Sequence, residues 1–402
     1  MKKISRLNPY YFVVVIFVAS LIFYLFDWST LYPHFSLGMV IFFIVFLSVM
    51  WIVGHFSLPF FSRIILKARM SGIRYSRTLI LFILIFILLG SLGDGMYSKG
   101  FPIIRHIDDY GIPMLHVITI TLAMFLSAYS MQLFCYTSKK IHLVIMFVSF
   151  IPNILGLSRE GIILSSISVI IIYLLNKFNS IKPKVLVIVT LGGVLGAFIF
   201  GLAGNYRTNN QVGLKTTDIF DSSLIYQMGS ANSDIPSVSK LSPFFWSYLY
   251  LTSPISNLQA AVNNNVEMDP EGNSVQEFIS TQFEPDVISS RMYPDYKNKV
   301  VMYGYSSRVS ESLNVATTFY ESYLQQGWLG MIIMASFFVI FPLLYLYFIY
   351  LINPGFVIIG MSILDVMYTM SVFDNPWAFS GISIQLILTL LLALILRKNK
   401  IN

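Results

Sequence analysis

Long apolar runs recur along the whole chain, separated by short basic connections. Residues 7–26 hold twenty positions without a charge, and similar stretches follow at 35–62, 78–93, 110–138, 141–158, 161–176 and 185–206. After one long polar interval come 328–352, 356–373 and 378–396. A bilayer core of ~30 Å needs roughly 20 helical residues to cross it, so the pattern is that of a helical membrane protein with ten spans. The runs at 141–158 and 161–176 are short, and the Ser158-Arg159-Glu160 junction is either a tight external turn or part of a broken helix. Only 11% of the 402 residues are charged and 56% are apolar, too little polar cover for a soluble domain of this length. The single cysteine, Cys135, excludes a disulfide or cysteine-based metal framework within the chain.

The basic residues set the direction. With the N-terminus inside, the inner segments hold Lys2, Lys3, Arg6, Arg63, Lys67, Arg69, Arg74, Arg77, Lys139, Lys140, Lys177, Lys182, Lys184, Arg397, Lys398 and Lys400, and no acid. The short outer connections hold only Lys99, Arg105 and Arg159. This asymmetry follows the positive-inside rule and places both termini in the cytoplasm. The net charge of +7 is therefore topological and gives no reason to expect a nucleic-acid partner. The first run could instead be read as a signal peptide, but it is long and lacks a small-x-small cleavage site near Asp27.

The chain divides into a first helical set at 1–204, a large outer loop at 205–327, and a second helical set at 328–402 with a short cytoplasmic tail. The loop carries seven basic and twelve acidic residues, a net of −5. A loop this long is rarely a mere connection, and a partly helical cap over a cavity between spans is expected. Residues 241–266 are uncharged but contain Pro243, Pro254 and Asn263-Asn264-Asn265. An interfacial or re-entrant helix fits them better than an eleventh span, which would place the C-terminal basic residues outside.

Charged groups in or beside the spans are the candidates for chemistry. Asp365 sits in the middle of a span, either packing against Ser362, Tyr368 or a neighbouring helix, or handling substrate or protons. Arg159 and Arg207 stand at outer span ends, where a guanidinium is either an interfacial anchor or a bidentate grip for phosphate. Glu160 follows Arg159. His106, Asp108 and Asp109 form the cluster RHIDDYG, more readily a solvated loop than a cation site. The large loop has no histidine, so a proton acceptor there must be Asp or Glu. Glu321, in NVATTFYESYLQQGWLGM, is the last acid before the next span.

Three fragments in this order carry a resemblance. They are Ser158-Arg159 opening a span, Gly204-Asn205-Tyr206-Arg207 opening the large loop, and the aromatic run through Gly327-Trp328-Leu329-Gly330 leading back into the membrane. Placed around one large outer loop, they resemble the Wzy-type O-antigen and capsule repeat-unit polymerases. The resemblance implies a protein of the bacterial inner membrane that joins undecaprenyl-pyrophosphate-linked oligosaccharides at its outer face. It implies a metal-independent, inverting glycosyl transfer with no cofactor. The partners are a lipid-linked donor, a lipid-linked acceptor and membrane lipid, and a chain-length regulator is open. Arg159 and Arg207 would bind the pyrophosphate; Arg291 and Arg308 are further loop arginines without a motif match. The related ligases carry a histidine where this chain reads 314–321 without one, which favours a polymerase and leaves the proton acceptor unassigned, with Glu321 and Glu160 as candidates. Tyr226, Trp246, Tyr248, Tyr250, Tyr293 and Tyr296 offer rings for sugar stacking. Competing readings are a flippase or transporter of lipid-linked glycan, and a non-catalytic assembly or sensor protein.

Overall fold

A computed structural model describes residues 4–73, 75–104, 107, 109–178, 183–211, 219–220, 222–235, 241–268 and 274–397. The expected cluster members His106 and Asp108 lie outside these, as do Lys2, Lys3, Arg74, Arg105, Lys182, Lys215, Lys240, Lys398 and Lys400. The described residues form helices and no strand. These are α1 (Pro9–Tyr24), α2 (Leu37–Phe56), α3 (Leu58–Ser71), α4 (Arg77–Tyr97), α5 (Leu115–Thr137), α6 (Ile141–Val148), α7 (Ile151–Leu155), α8 (Arg159–Lys177) and α9 (Pro183–Gln211). Then come α10 (Ser223–Met228), α11 (Ser242–Asn263), α12 (Val275–Phe283), α13 (Asp286–Met292), α14 (Tyr296–Ser307), α15 (Thr318–Ile352), α16 (Val357–Met370) and α17 (Ser380–Ile395).

The helix starts are written in the sequence. Asn8, Ser36, Ser76 and Ser158 each turn a side-chain oxygen onto a free backbone N–H of the first turn, at 3.3, 3.4, 3.2 and 3.2 Å. Five of the helices (α2, α4, α5, α8 and α15) are long and apolar enough to cross a membrane. Shorter apolar helices cover Pro9–Tyr24, Ile141–Leu155, Pro354–Met370 and Ser380–Ile395.

Two expected runs are divided. The run at 35–62 stops at Phe56, and a separate amphipathic helix, α3, begins beyond Ser57, where Pro59 cannot donate to a continuing helix. The run at 141–158 splits into α6 and α7, with Pro152 just inside the second piece. The Ser158-Arg159-Glu160 junction is a tight turn: Leu157 has φ 49° and Ser158 caps α8.

α16 is the axis of the bundle. Every residue from Val357 to Tyr368 is buried, as expected of a helix apolar on all sides. It packs against α1, α8, α15, α17, α5 and α3. Outward-facing positions of α2, such as Ile41, Ile44 and Val45, are exposed and apolar. In a membrane that surface meets lipid.

The connections sort to two ends. Arg69 donates through its guanidinium to the carbonyls of Leu175 and Phe178, each at 2.6 Å, and Lys177 donates to Cys135 O at 3.0 Å. These cations sit on the carbonyl ends of α8 and α5, where the helix dipole favours them. Asn353 donates to Leu396 O at 3.1 Å at the bundle's C-terminal edge. Elsewhere, Trp28–Thr30 joins Gly229–Asn232 and Asp286 N donates to Ala378 O at 2.6 Å, tying loop segments to span ends.

Within residues 205–327, α11 is the scaffold. It is buried from Thr252 to Val262 and packs on α9, α1, α15 and α14. Gly201 and Gly204 of α9 face it so closely that a Cβ would overlap the Pro243 carbonyl and the Trp246 indole. Tyr226 and Tyr248 are buried against Phe245 and so are core residues rather than free stacking surfaces.

Candidate functional site

α15 is not one straight helix. Gln326 and Gly327 leave helical geometry, with Gly327 at φ 55°, ψ −142°. The break separates a first segment, Thr318–Gln325, from the apolar helix that follows. The positive φ favours glycine, and a Cβ there would lie 2.8 Å from Glu267 Oε1, so that exposed carboxylate would have to move aside.

The Thr318–Gln325 segment docks on the turn that follows α16. Thr318 N donates to Ser371 O at 2.9 Å, and Asn375 Nδ2 donates to the carbonyl of Gln282, in α12, at 2.9 Å. Between these ties lies a cavity of about 230 Å³ lined by Arg308, Asn314–Thr317, Tyr320, Glu321 and Phe373–Asn375. Its third wall is fixed from behind. Asn257 donates to Leu313 O at 2.6 Å and Val315 O at 2.8 Å, and accepts from Val309 N at 3.0 Å.

Glu321 is the central group. Tyr296 donates its hydroxyl proton to Glu321 Oε2 at 2.8 Å. Burial, and then the charge of Asp374, push the Glu321 carboxyl above its ordinary range, while donation from Tyr296 and Gln282 and the charge of Arg308 act in the opposite direction. Asp374 is raised as well, chiefly by burial. Burial, with Glu321 next to it, holds the Tyr296 phenol well above its usual value. Arg308 bears on both Tyr320 and Glu321, and its Nε is buried with no hydrogen-bond partner among the described residues. The cavity thus joins an acceptor whose proton affinity is raised by burial, a second acid, and a guanidinium with a donor in hand.

Of the residues expected from sequence, Glu321 and Arg308 line this cavity. Glu160, at the start of α8, lies near enough to Asp374 for the two charges to act on each other. Arg159 is exposed beside it, at the first position of α8. Arg207 is exposed on α9, flanked by the buried Asn205 and Asn209 that tie α9 to Ser242 and Ser222. Arg291 is exposed on α13 and its guanidinium rests on the Met114 thioether. These three arginines do not line the cavity.

Asp365 is fully buried, and neither carboxylate oxygen has a partner among the described residues. Its expected neighbours are engaged elsewhere: Ser362 bonds Ser168 at 3.1 Å and Tyr368 donates to Phe338 O at 2.6 Å.

Sequence reasoning missed Asp374 and Asn375. The available signal was an Asp-Asn-Pro-Trp connection too short to be anything but a turn, carrying the first charge after Asp365. It also missed the pair of Asp94 and His116, whose carboxylate and Nδ1 meet at 2.8 Å where α4 and α5 are joined. Compared with known proteins, the chain matches no family model, no curated protein and no solved structure.

Proposed function

We propose that this protein joins lipid-pyrophosphate-linked oligosaccharide units into a polysaccharide at the outer face of the bacterial inner membrane. In this reading ten helices span the bilayer, both termini are cytoplasmic, and residues 205–327 form the outer cap. The observation that supports it best is the cavity between the cap segment and the Asp374–Asn375 turn, with Glu321 and Arg308 in its wall.

The chemistry is a single displacement. Glu321 takes the proton of an acceptor sugar hydroxyl. That oxygen forms a bond to the anomeric carbon of the donor glycan, whose bond to the lipid diphosphate breaks with inversion. The electron pair leaves on the diphosphate, and guanidinium groups stabilise the charge that develops there. Arg308 serves from inside the cavity. Arg159 and Arg207 present exposed guanidiniums to the headgroup region, where a lipid diphosphate lies. The cavity itself carries more acidic than basic groups, which suits hydroxyl-rich sugar better than the diphosphate.

In cells, Arg207→Ala or Arg159→Ala at normal protein level should leave single-repeat glycans on the lipid carrier. Full-length chains in those cells would count against the proposal. A carrier of lipid-linked glycan is the second reading, favoured by Asp365 at the bundle axis, buried without a partner among the described residues. Purified protein in liposomes separates the two, because a carrier moves lipid-linked units across the bilayer without lengthening them.

A further inference from the structure

Tyr296 belongs to α14, yet its hydroxyl meets Glu321 of α15 at 2.8 Å. The direction of that hydrogen bond is set by the other partners of the phenol. A tyrosine hydroxyl has one proton and two acceptor lone pairs. Gln282 donates to it through Nε2 at 3.0 Å, and Gln325 donates through its own Nε2. Both lone pairs are therefore taken, and the proton has one place to go.

The orientation of the Gln282 amide is anchored on backbone groups. Asn375 Oδ1 accepts from Trp377 N at 3.2 Å, which turns its Nδ2 toward Gln282, where it donates to the backbone carbonyl at 2.9 Å and to Oε1 at 3.2 Å. Ser322 Oγ donates to the same Oε1 at 3.0 Å. With Oε1 committed, Gln282 can offer only its Nε2 to Tyr296. Donation thus runs one way, from Asn375 through Gln282 and Tyr296 to Glu321.

We propose that Tyr296 is a positioning residue, oriented by Gln282 and Asn375, that keeps Glu321 in its proton-accepting form toward the cavity. The proposal rests on the reading of Glu321 as the group that takes the acceptor hydroxyl's proton. It adds a form of control. The donor chain begins on the Asp374–Asn375 turn and ends on the cap, so seating the cap on the bundle and readying the carboxylate are one event. A cap lifted from that turn loses Asn375 and frees Gln282 to rotate, and the phenol is no longer bound to point at Glu321.

Several other charged or titratable groups bear on this one. Asp374 faces Glu321 from the turn after α16, Arg308 from the connection between α14 and α15, and Tyr320 from its own helix. Glu160, Asp286 and Lys297 act on Asp374. Among the described residues Tyr296 and Gln282 act on Glu321 as neutral donors, so removing the phenol hydroxyl changes no formal charge.

Tyr296→Phe keeps the ring and removes the donated proton. Infrared difference titration of the purified protein, with Glu321→Gln to assign the carboxyl band, reads the protonation of Glu321 without any reaction. The expected result in Tyr296→Phe is a transition moved upward by roughly one to two pH units, with the acid limb of glycan elongation moving in step. Gln282→Met removes its own donation to Glu321 as well as freeing the phenol, so it should shift the band in the same direction by at least as much, and if Tyr296→Phe does not fold, an unmoved band in folded Gln282→Met overturns the proposal. An unmoved band in a folded variant overturns the proposal. A shifted band in a protein that elongates nothing leaves the positioning role standing and removes the glycosyl-transfer reading instead.

Discussion

The side-chain amide of Asn257 donates to the Leu313 carbonyl at 2.6 Å from the buried middle of α11. Together with its contacts to Val315 O and Val309 N, one side chain ties down the strap that becomes a cavity wall. Asn257→Ala would leave two carbonyls and one N–H without this partner. Buried polar groups cost on the order of 1–3 kcal/mol each when orphaned. The expected outcome is a loss of about 3 kcal/mol of stability, read as a lower thermal midpoint in detergent, with protease cleavage appearing between Val309 and Thr317.

Gly327 makes a second, independent test. Its positive φ strains any residue with a side chain, and a Cβ would also push the Glu267 carboxylate aside. Gly327→Ala should cost about 1–3 kcal/mol and shift the Thr318–Gln325 segment off the Asp374–Asn375 turn. Adding Glu267→Ala to it should relieve the steric part and leave the backbone part. A fully additive double variant would show that the two residues do not meet.

The glycines of α9 divide into two kinds. Gly201 and Gly204 are closed by Pro243 and Trp246, whereas a Cβ on Gly192, Gly193 or Gly196 would meet nothing within 4 Å among the described residues. Gly201→Ala should destabilise by about 1–3 kcal/mol through overpacking. Gly192→Ala should be neutral or stabilising by roughly 0.5–1 kcal/mol, since alanine is the better helix former. Thermal midpoints of the two variants compared side by side check the close α9–α11 packing.

Glu321 and Asp374 set a pH dependence of stability. Burial raises both carboxyls above their ordinary range, and the Asp374 charge raises Glu321 further. The folded protein then holds protons that the unfolded chain has already released. This contribution is fully present below the ordinary carboxylate range and is lost as pH rises through the raised values. A thermal-melt series across mildly acidic to neutral pH should show the midpoint falling as pH increases. Glu321→Gln combined with Asp374→Asn should flatten that slope.

Much of the helical layout was legible because apolar runs and polar N-caps are local signals. The caps at Asn8, Ser36, Ser76 and Ser158 fall at the edges of the runs, and the tight turn at Ser158 was one of two readings left open by the sequence. The divisions at Ser57 and in 141–158 were harder to see. Pro59 and Pro152 weigh against a continuous helix there, but a hydropathy count passes over single prolines. At the site, the 314–321 segment and Glu321 stood out by position, as the last polar stretch before a long apolar run. Asp374 and Asn375 did not, because their meaning comes from contacts with Gln282 and Thr318, far away in the chain. The bond from Tyr296 to Glu321 has the same character: nothing in the spacing of residues 296 and 321 shows that two helices fold back to face each other.

The most direct test of the central claim is elongation by purified protein in liposomes supplied with lipid-pyrophosphate-linked repeat units, comparing wild type with Glu321→Gln. Wild type should give a ladder of lengthened glycans, and Glu321→Gln, folded, a rate lower by about 100-fold or more. Equal ladders from both proteins would contradict the assignment of Glu321, and no lengthening by wild type would contradict the proposed reaction itself.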